Sequence, residues 1–458
     1  MERHRRDRQV IAAGTGLLAV GLVAFMQKPA LGLVALALPI LPLFVLKPQT
    51  AVLLLMAALP FDAVASLGSP GSFTLTRLLA AGVSGGWAVN LLMRRKPVVM
   101  DRPGYVLLGF VAFGTLSLGW AISSGTTRAS LLTMGPLCGM YLMLSNLLRS
   151  PRLLGRAVDV WLGSTAIVAM IVIFQFSSMG ALERASLQFG TLAFNPNYLA
   201  AALLLPALIA FARGPARGVF SWWRSATLVP IAIAVVLTGS RAGFLALACG
   251  VLAIGTIRPR LALKGVLAVV PLVALVALLY PNRLAHIRER FSAVGQDRMS
   301  GRLDIWRVGM TMVADRPLLG VGLGNFAPAF DAYMSETNMD IMYAHYVAKF
   351  PGLISSHNTY LTAAGELGII GAALFCAVLA AHVWGVLARI RNSRRCGDRE
   401  CHDLALAVLG ALGCMLVCGV SLDLFLFKPM WITLALAHAV ALMQPPLERS
   451  PRRGARSP

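Results

Sequence analysis

Arg241, Arg302 and His357 have the side-chain types that binding an anion and moving a proton would need. Arg302 lies in Ser300-Gly301-Arg302-Leu303-Asp304-Ile305-Trp306, and His357 in Ser355-Ser356-His357-Asn358-Thr359-Tyr360. An arginine offers a rigid fork of donors that matches phosphate oxygens and stays charged at any physiological pH. An imidazole is the side chain most readily tuned to take a proton near neutral pH. Each residue also has a plain reading. Arg241, in Thr238-Gly239-Ser240-Arg241-Ala242-Gly243 between two apolar stretches, fits a snorkelling anchor on lipid phosphate as well as an anion ligand. Arg302 fits a surface residue stacked on Trp306, one helical turn away. His357 fits an interfacial residue where the chain re-enters an apolar run.

These residues must be held by a membrane protein. Hydrophobic residues make up 57% of the 458 and charged residues 13%, against about 25% charged in a soluble domain. Too few polar side chains remain to cover a water-exposed surface of this size. Fourteen apolar stretches are read at about 10–26, 30–46, 49–67, 74–93, 104–122, 130–148, 157–177, 192–212, 226–239, 242–257, 264–281, 357–388, 404–421 and 425–443. The fold expected is an all-α polytopic membrane protein with about 12–14 transmembrane helices and one large outward loop carrying short helices.

The net charge of +22 is a topology signal. Most basic residues fall in alternate loops, among them Arg94, Arg95, Arg149, Arg152, Arg213, Arg258, Arg391 and Arg394. The positive-inside rule then puts both termini in the cytoplasm, with membrane lipids as partners and no nucleic acid. The first stretch reads as an uncleaved span, because no small-x-small cleavage pattern follows it. None of the seven cysteines falls in an outward loop, so no structural disulfide is expected. Cys396, Cys401 and His402 fit no common zinc spacing, so no metal site and no cofactor is expected.

Four parts follow: 1–281 as N-terminal spans, 282–356 as the outward catalytic loop, 357–443 as C-terminal spans, and 444–458 as a disordered basic tail. The loop balances its basic residues with Glu289, Asp297, Asp304, Asp315, Asp331, Glu336 and Asp340 and holds several aromatics, unlike a linker. Residues 301–314 read as an amphipathic helix with Leu303, Trp306, Met310 and Val313 on its apolar face, stopped by Asp315-Arg316-Pro317. That spacing sets Asp304 beside Arg307. The run Gly320-Val321-Gly322-Leu323-Gly324-Asn325 must be a turn or a close backbone approach. No strand–helix unit surrounds it, which argues against a nucleotide loop. Glu366, inside an apolar stretch, needs a partner. Asp423 and Lys428 read as a rim ion pair.

The sequence resembles the O-antigen ligase and polymerase superfamily of bacterial inner-membrane glycosyltransferases. The matching pieces, in order, are Asn195-Pro196-Asn197-Tyr198, Gly239-Ser240-Arg241-Ala242-Gly243, Gly301-Arg302-Leu303-Asp304-Ile305-Trp306 with Arg316-Pro317-Leu318-Leu319-Gly320, and Ser356-His357-Asn358-Thr359-Tyr360 with Gly365-Glu366-Leu367-Gly368. They cover roughly residues 190–380. The family's glycine after the first arginine is Ala242 here, with Gly243 next.

The resemblance implies a fold of the C-type glycosyltransferase kind, acting without a metal and with inversion. The donor would be a glycan on undecaprenyl pyrophosphate at the periplasmic face. The acceptor would be lipid A–core for a ligase, or another lipid-linked glycan for a polymerase. By carry-over, Arg241 and Arg302 bind the pyrophosphate and His357 assists the acceptor hydroxyl, while Trp306, Asn358, Glu366 and Asn197 complete the substrate-binding set. The rival reading is a lipid-linked oligosaccharide flippase or exporter. It requires ionisable groups in the middle of the spans, where the sequence has few.

Overall fold

The structure is a computed structural model describing residues 41–61, 75–95, 97–177, 184–189, 192–193, 195–214, 222–279, 302–334 and 354–443. Expectations for the first apolar stretch, for Glu289, Asp297, Glu336 and Asp340 of the loop, and for the basic tail lie outside these residues.

The described chain is an all-α polytopic membrane protein. It runs α1 (Leu41–Leu46), α2 (Pro48–Ala58), α3 (Leu75–Arg94), α4 (Arg102–Leu116), α5 (Ser124–Leu147), α6 (Pro151–Ser177), α7 (Pro196–Arg213), α8 (Trp223–Leu237), α9 (Arg241–Gly255) and α10 (Pro259–Leu279). After the loop come α11 (Arg302–Asp315), α12 (Phe326–Met334), α13 (Thr359–Arg395), α14 (Arg399–Ser421) and α15 (Lys428–Ala441). A two-residue antiparallel pair, Gln188–Phe189 with Leu192–Ala193, precedes α7.

α6, α7, α13 and α14 are long and apolar enough to cross a bilayer. The stretches expected at 226–239 and 242–257 become α8 and α9, of 15 residues each. At 1.5 Å per residue each spans about 22 Å, short of a hydrocarbon core of about 30 Å.

α14 is the hub, packing against α7, α9, α13 and α15. It is apolar nearly all round, as a helix enclosed on every side must be. Where α9 crosses it, a Cβ on Gly250 would lie 3.0 Å from the Gly410 carbonyl oxygen. Small residues there let two backbones approach closely.

α13 breaks inside its span. Gly368 takes φ 65°, ψ −172°, and the glycine run of the loop pairs with the opened turn. Val321 N donates to Gly365 O at 3.0 Å, Gly322 N to Glu366 O at 2.7 Å, and Ile369 N to Pro317 O at 2.8 Å. A Cβ on Gly368 would sit 2.1 Å from Leu318 O, so no larger residue fits. The same run is tied to the α4–α5 turn: Ile122 N donates to Val321 O at 3.0 Å, and Ser123 N to the Asn325 side chain at 2.8 Å. The close approach expected of these glycines is found, and its consequence is to bolt this segment to α13 and to the α4–α5 turn.

The loop helix forms at 302–315, close to the expected 301–314, but its apolar face is rotated. The buried residues are Asp304, Ile305, Val308, Gly309 and Met312, whereas Leu303 and Met310 are exposed. Two apolar stripes compete in this segment, and hydrophobicity alone favoured the wrong one. Gly309 decides the matter, since a Cβ there would meet the Leu361 side chain at 2.8 Å. Ile305, Val308 and Met312 then form a small core with Val321, Phe326 and Phe330.

At the other end of the bundle, Asp159 accepts from Arg213 at 2.7 Å and from Arg224 at 2.6 Å, and Arg258 pairs with Asp403. Ionisable groups also occur deep between spans. The Tyr141 hydroxyl meets His382 Nε2 at 2.9 Å and its ring stacks on His438, which lies 2.8 Å from Asp101. The spans are thus less bare than their composition implies.

Candidate functional site

The motif segments are helix starts. Asn195 caps α7, accepting from Asn197 N at 2.9 Å, with Pro196 at the first helical position. Ser240 caps α9, accepting from Gly243 N at 3.1 Å, so Arg241 is the first helical residue. Arg302 opens α11. Asn358 caps α13, accepting from Tyr360 N at 3.0 Å and Leu361 N at 3.1 Å. Residues of the cap class are there because helix starts leave N–H groups without intrahelical partners. The positive ends of these helices add to the arginines as a setting for an anion.

Arg302 and His357 are brought together. Arg302 Nη1 donates to Ser421 Oγ, the last residue of α14, at 2.8 Å. His357 sits within its field. It holds φ 51° without being glycine, a conformation that persists only where its surroundings enforce it. Its Nδ1 is buried without a hydrogen-bond partner. Burial, then the Arg302 guanidinium, pushes its pKa down to about 4, so the imidazole is neutral at pH 7.

Between α14 and α15 the chain places Asp423 beside this pair. Its carboxylate accepts from Thr362 Oγ1 at 3.1 Å and from Phe425 N at 3.3 Å, and its backbone carbonyl accepts from the Tyr198 hydroxyl at 2.9 Å. Burial raises its carboxyl above the usual range. A cavity of 370 Å³ opens here, with Tyr198, Ser355, Thr362, Glu366 and Asp423 in its lining.

Arg241 stands on the adjoining helix start. The turn before it is fastened by Arg184, whose Nε donates to Thr238 O at 2.7 Å and whose Nη2 donates to Asn197 Oδ1 at 2.8 Å. A Cβ on Gly243 would lie 3.0 Å from Ala200 Cβ, so α9 begins against the first turn of α7, where Tyr198 sits.

The other expected residues are engaged with the framework. Trp306 Nε1 donates to Ser356 O at 3.1 Å, which holds the strand of chain carrying His357. Asn358 is a cap, and Asn197 accepts from Arg184. Glu366 accepts from Gly324 N at 2.7 Å and Phe326 N at 3.0 Å; its partner is backbone. Sequence reasoning gave Arg184 and Tyr198 no site role and read Asp423 only as half of a rim pair. Tyr198 follows Asn197 directly, and Arg184 and Asp423 are among the few charges in the loops expected to face outward, which was the signal available.

Residues 226–376 match the family model described as O-antigen ligase. They include Arg241, Arg302 and His357. No curated protein matches. Among solved structures, the chain is similar to one described as "Structural coordination of polymerization and crosslinking by a peptidoglycan synthase complex". The identity is 20% and the TM-score 0.41, over 74% of this chain and 96% of that chain.

Proposed function

We propose, from the match of residues 226–376 to a family model described as O-antigen ligase, that the chain moves a glycan from a polyprenyl pyrophosphate to a sugar hydroxyl at the outer face of the bacterial inner membrane. The observation that supports this best is His357 in a strained conformation within the field of Arg302, two residues along the chain from Ser355, which lines a cavity that also holds Thr362, Glu366 and Asp423.

In this reading the acceptor oxygen attacks the anomeric carbon as the bond to the pyrophosphate oxygen breaks, inverting that carbon. The departing pyrophosphate takes the bonding electron pair, and Arg241 and Arg302 gather its charge. The acceptor proton goes to the His357 imidazole. Donor binding raises the basicity of that imidazole, because the pyrophosphate offsets the Arg302 charge that depresses it. Thr362 and Asp423 offer hydrogen bonds that align the sugar. Ser421 and Trp306 hold Arg302 and the His357 segment in place.

The test uses membranes expressing Arg302→Ala, Arg241→Ala and His357→Ala at normal levels. Transfer predicts that product is lost while lipid-linked donor accumulates on the outer face. Full product from all three variants would remove the assignment. The group of His438, Tyr141 and His382, with Asp101 at its edge, is what the flippase reading can draw on. Donor retained on the inner face of these variants would favour that reading. Product chain length then separates a ligase from a polymerase: loss of a ligase leaves long unligated chains, loss of a polymerase single units.

A further inference from the structure

The motif Arg316-Pro317-Leu318-Leu319-Gly320 has no part in the transfer step. It belongs to the segment expected to face outward, yet Leu318 is 61% exposed and Leu319 41%. α11 ends in this turn, and the turn is fastened on both sides. Pro317 O accepts from Ile369 N of α13 at 2.8 Å, and Leu319 O accepts from the Trp120 indole N–H at 2.8 Å. Ile369 and Ile370 are exposed as well, so segments remote in sequence present one apolar patch. Arg316 borders it and pairs with Asp315 at 3.6 Å, which starts the charge where the patch ends. The patch continues the exposed face of α13, where Ala373, Cys376, Ala377, Ala380 and Trp384 follow at helical spacing. An apolar, unburied stripe along a helix long enough to cross a bilayer faces lipid. Two helices measure its height. Arg391, whose guanidinium lies 5.2 Å over the Trp384 ring, forms an interfacial pair with it. Ile369 stands 22 residues before Arg391 on the unbroken part of α13, about 33 Å away. Trp120 stands 18 residues after Arg102, the start of α4, about 27 Å away. The hydrocarbon core is about 30 Å thick. Both measures put the patch at a boundary of that core, at the end of the bundle that carries Arg302 and His357.

We propose that the Arg316–Gly320 turn is a foot set into the phospholipid leaflet on the site's side of the membrane. Leu318 and Leu319 enter the edge of the hydrocarbon beside Ile369, and Arg316 meets the lipid phosphates. In water this turn would hold an apolar patch open to solvent, which soluble surfaces avoid. At the boundary the same residues are covered by acyl chains, and an arginine beside them keeps its head at the phosphate level. The backbone pairing with the α13 break holds the turn at that height. A Cβ on Gly368 would meet Leu318 O at 2.1 Å, so turn and span are in direct contact. Because α11 runs straight into the turn, the foot ties the helix that carries Arg302 to the bilayer surface. The foot goes beyond the transfer chemistry and does not depend on it.

The experiment uses the full chain in nanodiscs of phosphatidylcholine and phosphatidylglycerol. A trace of the phosphatidylcholine carries a diazirine near the glycerol end of one acyl chain. After illumination and digestion, peptides containing Leu318 and Leu319 should carry lipid adducts about as often as those containing Ala373 and Ala377. A sulfonated, water-soluble diazirine should pass over the turn and label the exposed Asp331 region. Leu318→Asp, at an exposed position, should cut lipid adducts on the turn several-fold, because a carboxylate is costly in hydrocarbon. Adducts at Ala373 should stay level in that variant, which controls for its fold. A natural chain without lipid adducts on the turn overturns the proposal: the soluble reagent labelling it would put the turn in water, and neither reagent labelling it would put a protein surface over it. Adducts undiminished in Leu318→Asp overturn it too. No glycan transfer is read, so this result and the proposed activity fail separately.

Discussion

The opening turns of α13 finish two regions differently. Around Glu366 and Gly368, the partners are internal: the glycine run takes the opened backbone turn, and both carboxylate oxygens of Glu366 accept from Gly324 and Phe326. Around His357, nine residues earlier, a buried ring nitrogen has no partner and the backbone is strained. Internal saturation marks the region that builds the scaffold. On the proposed function, the buried ring nitrogen left over at His357 belongs to the region that receives the ligand.

Breaking the saturated region should have the largest effect on folding. Gly368→Ala would need a positive φ and would clash with Leu318 O. We expect a loss of about 3 kcal/mol or more, read as a lower melting midpoint and poor recovery in detergent. Glu366→Ala comes next, at about 2–3 kcal/mol, since it strands two N–H groups in the interior. Glu366→Gln should recover part of it.

The unsaturated region should respond the other way. His357→Gly relieves the positive φ, so its melting midpoint should stay level or rise, while turnover falls about 10²- to 10⁴-fold. A matching fall in melting midpoint would make His357 a structural residue and erase the contrast. Arg184→Lys tests the strut between them. It loses the two-pronged grip on Thr238 O and Asn197, and we expect a raised donor KM, about tenfold, with kcat and melting little changed.

The smallest effect is on pH. His357 has its folded pKa below the unfolded value, so the fold favours the neutral ring. That stability is present above the unfolded value of 6.5 and is lost as pH falls through it toward about 4. In the free enzyme, kcat/KM should therefore hold steady from neutrality down to about pH 5 and drop nearer 4. His357→Ala should remove that limb from its residual activity.

Much of this was legible in the chain. Apolar runs without enough charge to meet water require a membrane, and glycines at Gly320, Gly322 and Gly324 require a turn or a close approach. A capping residue followed by Pro196, Arg241 or Thr359 announces a helix start from local chemistry alone. The rotated face of α11 shows where this ends. Leu303 and Met310 are as apolar as Ile305 and Met312, and only the approach of Leu361 to Gly309 decides which pair is buried. Asp423 read only as one half of a rim pair; its bonds to Thr362 and Tyr198 needed the folded chain.

The sequence by itself determined the solvent, the helices and the chemical repertoire, because those follow from composition and from neighbours a few residues apart. The tertiary structure alone decided which polar groups are satisfied and which are left over. Hydrogen bonds at this site join residues separated by dozens to hundreds of positions, such as Tyr198 to Asp423 and Arg302 to Ser421. No local pattern encodes those pairings.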